Sequence, residues 1–434
     1  MNGSPAKNAV FAVMEYASMP LVLLCTTPTL LHRLGNEGYA IWVIASAGVT
    51  GGALISNGFG DAAIRELAAA RADSASGNPT TVVRSVLTLN LFAACSVALL
   101  LCVLAPFISG RIADVSAAAR HTCTRAIELG AVLVLPRTVE TVFACALRAY
   151  EFYGTSTRIT TTARVIGGLA ACIAAMCGGG VLAVLAASGS VALLSCVFQA
   201  AAAQRHLGLA SLLPGWCAAV VSRLMGFGCF SWLQTIAGIF TQSADRILLG
   251  ALLGPAAVTV YSLSVQATTP VHGLAGAAAQ VLFPYLGARS AGGIAPHRNM
   301  LRRIALANLA FAVGAATLAT LSGRWFLSHW LHGDVPPHAY ACLVLSAWSF
   351  ALLALNVLPY WSLMALGRIR LLALTNLVAG AAVLFAISVL GPRFGVTGAT
   401  AARLLLGPIT WVTAIPLLKA LRPHIAVLPP LENA

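Results

Sequence analysis

Charged residues are scarce in this sequence: Asp, Glu, Lys and Arg make up 9% of its 434 residues. A soluble domain carries about 25% charged residues, so this chain has too few charges to cover a soluble surface of its length. The scarcity excludes an ordinary soluble enzyme, and the 59% of hydrophobic residues excludes a disordered chain. The composition indicates a protein whose solvent is mostly lipid.

Sequence motifs for disulfides, metal sites, ATP binding and covalent catalysis are also missing. The 11 cysteines form no C-x-x-C pair and lie mostly inside apolar runs. We interpret them as small buried hydrophobic residues rather than a disulfide framework or a zinc site. Three histidines surround Asp334, but the glycine and prolines there predict a loop, so we expect no metal. Without a Walker-type phosphate loop or a catalytic triad, we predict no cofactor, no use of ATP and no enzymatic activity.

Apolar runs long enough to cross a bilayer recur along the whole chain. A transmembrane helix needs about 20 largely apolar residues, and spans this apolar must be helical because lipid cannot satisfy their backbone groups. No cleavage pattern follows the first run, so we expect it to be retained rather than removed as a signal peptide. The sequence predicts an all-α integral membrane protein with about twelve transmembrane helices. The runs are 10–31, 39–60, 86–108, 126–147, 159–177, 181–200, 224–244, 256–286, 301–322, 340–365, 371–390 and 395–420.

The charges that are present lie mostly between the apolar runs. A formal net charge of +14 would suggest nucleic acid in a soluble protein. Here the basic residues form no patch, so we expect no nucleic-acid partner and apply the rule that basic loops face the cytoplasm. An N-terminus in the cytoplasm places most of the arginines there, so we predict that both termini are cytoplasmic.

Two similar segments lie about half a chain apart. Leu34-Gly35 followed by Tyr39 resembles Leu253-Gly254 followed by Tyr261. Each pair closes an odd-numbered span and opens the next, which predicts a six-span unit that occurs twice with the same orientation. Parallel repeats of this kind are a transporter architecture; the alternative is chance similarity between apolar segments.

The repeat divides the chain into three parts. We expect a six-helix lobe at 1–200 and a second six-helix lobe with a short cytoplasmic tail at 224–434. Between them, 201–223 is polar and basic, and we interpret it as a cytoplasmic connector.

Short motifs along most of the chain resemble one family. Residues 34–42 are similar to the early motif of polysaccharide flippases, and 57–60 with Arg65 match the segment that closes their second span. Residues 245–254 resemble the start of their second half, and 283–286 the end of their eighth span. The sequence is thus identified as a member of the O-antigen and exopolysaccharide flippases, within the superfamily that also holds multidrug exporters.

The resemblance implies a fold and a function. The fold is two six-helix lobes around a central cavity that opens alternately to either side. The function is transfer of undecaprenyl-diphosphate-linked oligosaccharide across the bacterial inner membrane for surface polysaccharide synthesis, with membrane lipid around the protein and a polymerase or glycosyltransferase as partner. The sequence departs from the family at Ala40, where glycine is usual. Related peptidoglycan-precursor flippases typically have two further helices, for which this chain has no room.

Four arginines are candidates for holding the diphosphate of such a substrate. Charges inside a span are expensive and indicate function by default, and a guanidinium binds two phosphate oxygens and stays charged. Arg137 and Arg403 lie within spans of opposite halves, and Arg65 or Arg246 would help them. The alternatives are neutralisation of Arg137 by Glu140, three residues on, and snorkelling of Arg403 to an interface.

Four acidic residues are candidates for ion coupling or gating. Glu15 lies inside the first span without an obvious local partner, and a carboxyl in a partly dry cavity can carry a proton. Glu140 lies in the fourth span, and Asp61 and Asp245 adjoin the motif segments. The alternatives are a hydrogen-bonded Glu15 near the interface and a local cap formed by Asp245 and Arg246.

Two further functions compete with the flippase. An ion-coupled drug or cation exporter of the same superfamily would need an acidic cavity, whereas the intramembrane charges here include arginine. A membrane enzyme of the polysaccharide pathway usually carries a large catalytic loop or domain, and the loops here are too short for one. We therefore predict a flippase, with the exporter as the nearest alternative.

Overall fold

The computed structural model describes residues 5–60, 62–64, 66–67, 78–112, 116–225, 232, 243–280, 298–365 and 369–415. These residues form helices and turns and contain no strand, as the sequence predicts. The helices with defined bounds are α1 (Pro5–Ser56), α2 (Pro79–Arg111), α3 (Ala117–Ala149), α4 (Tyr153–Met176), α5 (Val181–Leu207), α6 (Ala244–Gln280), α7 (Arg298–Trp330), α8 (Ala339–Ala354), α9 (Val357–Ala365), α10 (Ile369–Ala402) and α11 (Leu406–Thr410), with 3-10 turns at Arg403–Leu405 and Trp411–Thr413.

The described helices cover the predicted crossings apart from most of the seventh, 224–244. Over the described ranges, nine helical segments are long and apolar enough to cross a membrane. Three of them are broken by a glycine, at Gly35 in α1, Gly254 in α6 and Gly395 in α10. The first arm of α6 continues the predicted span 224–244, most of which lies outside the described residues. The all-α membrane fold is confirmed, and the broken segments Ser18–Ser56 and Arg370–Thr413, of 39 and 44 residues, are long enough to cross twice.

The chain reverses direction at the glycine in α1. Thr27 Oγ1 and Tyr39 OH both donate to Gln266 Oε1, at 2.8 and 3.2 Å. On one straight helix Thr27 and Tyr39 would lie about 18 Å apart, so the two arms must fold back on each other at Gly35. The same holds in α6, where Tyr261 OH donates a hydrogen bond to Asp245 Oδ2 across Gly254.

The two leucine–glycine turns have the same backbone geometry. Gly35 has φ 69° and ψ 176°, and Gly254 has φ 80° and ψ −177°. Almost only glycine adopts this conformation, which explains why each turn contains one. With the glycines aligned, Tyr261 falls opposite Trp42 rather than Tyr39. The turns are therefore equivalent, whereas the tyrosines that follow them are not.

Replacing Gly35 by alanine is expected to lower the free energy of unfolding by about 1–3 kcal/mol, because a Cβ strains this backbone conformation. No atom lies within 4 Å of that Cβ, so the cost is purely conformational. Gly48 is the matched control: its Cβ also meets open space, at a helical position without a positive φ. Gly48→Ala should stabilise by about 0.5–1 kcal/mol. Equal effects in a denaturant titration in micelles would contradict the assignment of strain.

The two halves share one hydrophobic core at one side of the molecule. We call the side where Gly35, Gly254 and Gly395 lie the glycine face, and the opposite side, where α1 begins, the terminal face. The shared core packs residues from both halves near the glycine face: Leu30, Tyr39, Ile44, Val258, Tyr261, Leu327 and Leu331. Towards the terminal face two separate cores occur, around Leu147 in the first half and around Ala347 in the second. The halves are thus joined at the glycine face.

The connector between the halves begins later than predicted. The helix α5 continues to Leu207, and residues 209–217 then run without helix. Arg84 Nε donates to Leu213 O at 3.0 Å, and Thr88 Oγ1 donates to Gly215 O at 2.8 Å. These bonds fix the connector to α2, so it belongs structurally to the first half.

Candidate functional site

The predicted contact between Arg137 and Glu140 is present in α3. Arg137 Nη1 lies 3.2 Å from Glu140 Oε2, as residues three apart on a helix allow. Glu140 Oε1 also accepts a hydrogen bond from Ser195 Oγ of α5 at 2.6 Å. Only 5% of Glu140 is exposed, whereas the side chain of Arg137 is 37% exposed. The pairing therefore leaves the guanidinium partly accessible.

Glu15 has partners that its local sequence does not reveal. Arg148 Nη2 donates to Glu15 Oε1 at 2.6 Å, and Thr157 Oγ1 donates to Glu15 Oε2 at 3.2 Å. Arg164 Nη1 donates to the backbone oxygen of Glu15 at 2.5 Å and to Ser18 Oγ at 2.8 Å. Glu15 has no local ion-pair partner, as the sequence indicates, because Arg148 lies 133 residues away along the chain.

We call five charged residues of the first half the N-terminal cluster. They are the ion pairs Glu15–Arg148 and Glu140–Arg137, together with Arg164. Arg164 lies within electrostatic range of the other four. Arg164 lies about 16 Å along α4 from the first residue of that helix. This length is about half the thickness of the hydrocarbon core of a bilayer. The cluster contains three arginines and two carboxylates, so it carries one positive charge in excess on helices that are long and apolar enough to span a membrane.

In the second half, Arg403 is paired rather than free. Its Nη1 lies 2.7 Å from Asp245 Oδ2 and 2.8 Å from the hydroxyl of Tyr261. Its guanidinium carbon lies 5.1 Å from the centre of the Phe350 ring. Arg403 is 3% exposed and Asp245 is 2% exposed. We call Asp245, Tyr261 and Arg403 the buried triad.

The contacts of the buried triad test two alternatives that the sequence analysis left open. Arg403 does not snorkel to an interface, because its charged end is enclosed. The backbone N–H of Arg246 donates to Asp245 Oδ1 at 2.8 Å, so the proposed local contact between these neighbours is present. Diphosphate binding by Arg403 stays a prediction, which requires a conformation in which Asp245 has released it.

The remaining predicted residues fall outside this geometry. Arg246 is partly buried, and its Nε has no hydrogen-bond partner among the described residues. Asp61 and Arg65 lie outside the described residues, as do 283–286 of the resemblance.

A polar seam joins α1 and α6 close to the glycine face. Gln266 of α6 accepts from Thr27 and Tyr39 of α1, and Thr259 Oγ1 donates to Asn36 O at 3.0 Å. Each of these bonds joins the first half to the second. Together with the shared core, they close the molecule at this face.

Sequence reasoning missed Arg148 and Arg164. The rule that basic loops face the cytoplasm explains both as charges that orient the chain. Arg164 nevertheless lies inside the predicted span 159–177, and an arginine within an apolar run is itself a signal of function. Arg148 follows directly after the predicted span 126–147 and gives no comparable signal.

Comparison with known proteins agrees with this architecture. A family model described as polysaccharide biosynthesis protein matches residues 53–328. No curated protein matches the sequence. Among solved structures, the chain is similar to the lipid II flippase MurJ in an inward closed conformation, with a TM-score of 0.71 and 11% identity over 94% of this chain and 87% of that chain.

Two further solved structures have the same fold. An inward-facing multidrug resistance MATE family transporter of the MOP superfamily gives a TM-score of 0.68 and 12% identity, over 95% of this chain and 100% of that chain. A MOP superfamily transporter from Pyrococcus furiosus, whose binding pocket is described as having reverse polarity, gives 0.62 and 13%, over 96% and 95%. At these identities the likeness shows the fold. The family model covers more than half of the sequence, so the chain belongs to the polysaccharide biosynthesis protein family and has the fold of the MOP superfamily transporters.

Proposed function

We propose that this protein is a flippase that moves an undecaprenyl-diphosphate-linked oligosaccharide across the bacterial inner membrane for surface polysaccharide synthesis. The observation that carries the proposal is the N-terminal cluster, where three arginines outnumber two carboxylates within the membrane-spanning region. A diphosphate crossing hydrocarbon needs a wet, cationic path, and arginine meets it with a forked, permanently charged donor. Membership of a polysaccharide biosynthesis family supports a glycan as cargo.

Within this proposal, Arg137, Arg148 and Arg164 hold the diphosphate. In the described conformation Arg137 and Arg148 have side chains 37% and 27% exposed, more than the carboxylates they pair with. The incoming phosphates replace Glu140 and Glu15 as partners, so the guanidiniums need not pass through an unpaired state. Arg65 and Arg246 remain proposed helpers.

In the same proposal, alternating access sets the direction in which the substrate moves across the membrane. The halves are joined at the glycine face by the shared core and the seam. We place this face on the periplasmic side and both termini in the cytoplasm, which makes the described conformation one that is closed to the periplasm. Asp61 and the buried triad, through Asp245 and Arg403, are proposed to take part in gating, and Glu15 and Glu140 in coupling. A polymerase or glycosyltransferase is the proposed partner that consumes the product.

The second candidate is a drug or cation exporter. Multidrug transporters share the fold, and Glu15 places a carboxylate in the first span, as a cation would require. Against this, Glu15 is already neutralised by Arg148, and the cluster as a whole is positive. A cationic drug would therefore meet net repulsion.

The test is transbilayer movement in liposomes that contain purified protein and a fluorescent undecaprenyl-diphosphate oligosaccharide. Wild-type protein is expected to move the lipid, and Arg137→Ala or Arg164→Ala to slow it about tenfold or more, since a charge-assisted hydrogen bond contributes about 1.5–3 kcal/mol. Arg120→Ala is the control: Arg120 is exposed on α3 near the glycine face. It should leave the rate unchanged.

The possible outcomes separate the candidates. Movement that survives both substitutions would keep the flippase and overturn the binding site. No movement of any diphosphate-linked glycan, together with expulsion of a cationic dye, would overturn the flippase in favour of the exporter. Arg403→Ala is interpreted only where that variant stays folded, because Arg403 is paired inside the protein.

A further inference from the structure

A groove in the first half lies apart from both charged sites. It has a volume of about 710 Å³ and runs between α2, α3 and α5. Arg125 and Glu128 of α3 lie on one wall, and the rest is mainly apolar, including Cys102, Val132 and Leu182. Leu182 and Ala183 belong to the first turn of α5, so the groove opens near the glycine face.

The surface around the groove is apolar, which indicates that the groove faces the lipid. The neighbouring surface of α2 exposes large apolar side chains, among them Leu100, Val103 and Phe107, and Val132 is 58% exposed in the groove itself. A wall of this kind at the edge of the bilayer fits an acyl chain. Its apolar surface is continuous with the surface of α2 that the hydrocarbon must cover.

The two charges in the groove have no side-chain partner among the described residues. Arg125 and Glu128 are three residues apart on one helix face, yet neither forms an ion pair or a hydrogen bond through its side chain within the described part of the chain. Glu128 is partly buried, and an unpaired carboxylate beside lipid is unfavourable. Opposite charges that do not pair with each other beside an apolar wall fit a ligand that carries both charges and a hydrophobic tail.

We propose that this groove is a binding site for a phospholipid whose headgroup carries a primary ammonium next to its phosphate, as in phosphatidylethanolamine. Arg125 binds the phosphate, Glu128 accepts hydrogen bonds from the ammonium, and an acyl chain lies along Val132 and Leu182. Residues three apart on a helix have Cβ atoms about 5–6 Å apart, a spacing that suits two charged groups joined by two carbons. The site is independent of the proposed function, because it needs no diphosphate substrate.

The test measures which lipids stay bound to the purified protein, using native mass spectrometry. Delipidated protein is titrated with phosphatidylethanolamine, phosphatidylcholine and phosphatidylglycerol of identical acyl chains. Wild-type protein is expected to retain phosphatidylethanolamine best, and Glu128→Gln to lower its advantage over phosphatidylcholine about fivefold, about 1 kcal/mol. Arg125→Gln should weaken all three lipids, since each has a phosphate.

Two further variants keep the test decisive. Ala183→Trp fills the groove without changing charge and should lower retention of every lipid, while Arg120→Gln, outside the groove on the same helix, should change none. Retention that favours phosphatidylglycerol and depends on Arg125 alone would overturn the proposal in favour of a simple anion site. Equal retention of the three lipids by wild-type protein would overturn it as well.

Discussion

Replacement of Asp245 by asparagine is expected to lower the free energy of unfolding by about 3–5 kcal/mol, since removing one partner of a buried ion pair leaves the other charge uncompensated. Asp245 is 2% exposed and Arg403 is 3% exposed. Their contact is 2.7 Å, and the hydroxyl of Tyr261 bonds to both side chains. Asparagine keeps the shape of the side chain, so the loss reports the missing charge. Denaturant titration in detergent micelles, followed by tryptophan fluorescence, measures it.

The chain contains a matched control in Arg223 and Glu66. Their side chains are 47% and 21% exposed, and their contact is 3.0 Å. An exposed pair of this kind contributes at most about 1 kcal/mol, so Glu66→Gln should have a small effect. The double variant with Asp245→Asn and Arg403→Met should recover much of the loss, because no charge remains buried. A cost for Asp245→Asn no greater than that of Glu66→Gln would contradict the buried triad.

The fold was predictable from the sequence because its signals are local. Each apolar run is contiguous, and each described helix lies where such a run occurs. The two equivalent turns were predictable because the backbone conformation at Gly35 and at Gly254 requires glycine. The contact between Arg137 and Glu140 followed in the same way, since helix geometry alone brings residues three apart together.

The pairings across the chain were not predictable. Glu15 meets Arg148 over 133 residues, and Asp245 meets Arg403 over 158. No local pattern records such distances, and both contacts depend on how separate helices pack. Arg403 looked like an accessible cavity charge because its counter-ion comes from another span. The burial of an intramembrane charge therefore depends on its partner, and a single sequence does not identify that partner.

Replacement of Glu15 by glutamine is expected to tighten the binding of a diphosphate about tenfold while slowing transport, if the N-terminal cluster is the substrate site. The Glu15 carboxylate now pairs with Arg148 at 2.6 Å, so it competes with the phosphates for the same guanidinium. Glutamine removes the competing charge and keeps a similar shape. Tighter binding of the diphosphate in one conformation then delays its release. The affinity for the diphosphate should therefore rise while the transport rate falls. Inorganic pyrophosphate in a calorimetric titration measures the affinity, and the liposome assay measures the rate.

Glu37 provides the control for this prediction. It is exposed on the same helix at the glycine face, so Glu37→Gln should leave pyrophosphate binding unchanged. Unchanged or weaker binding in Glu15→Gln would show that the carboxylate does not compete for Arg148, and would remove Glu15 from the site. Undetectable pyrophosphate binding by wild-type protein would instead count against the cluster as a diphosphate site. The affinity and the transport rate are measured separately, which distinguishes misfolding from the expected effect. A misfolded variant would lose both, whereas loss of the competing carboxylate raises the affinity and lowers the rate.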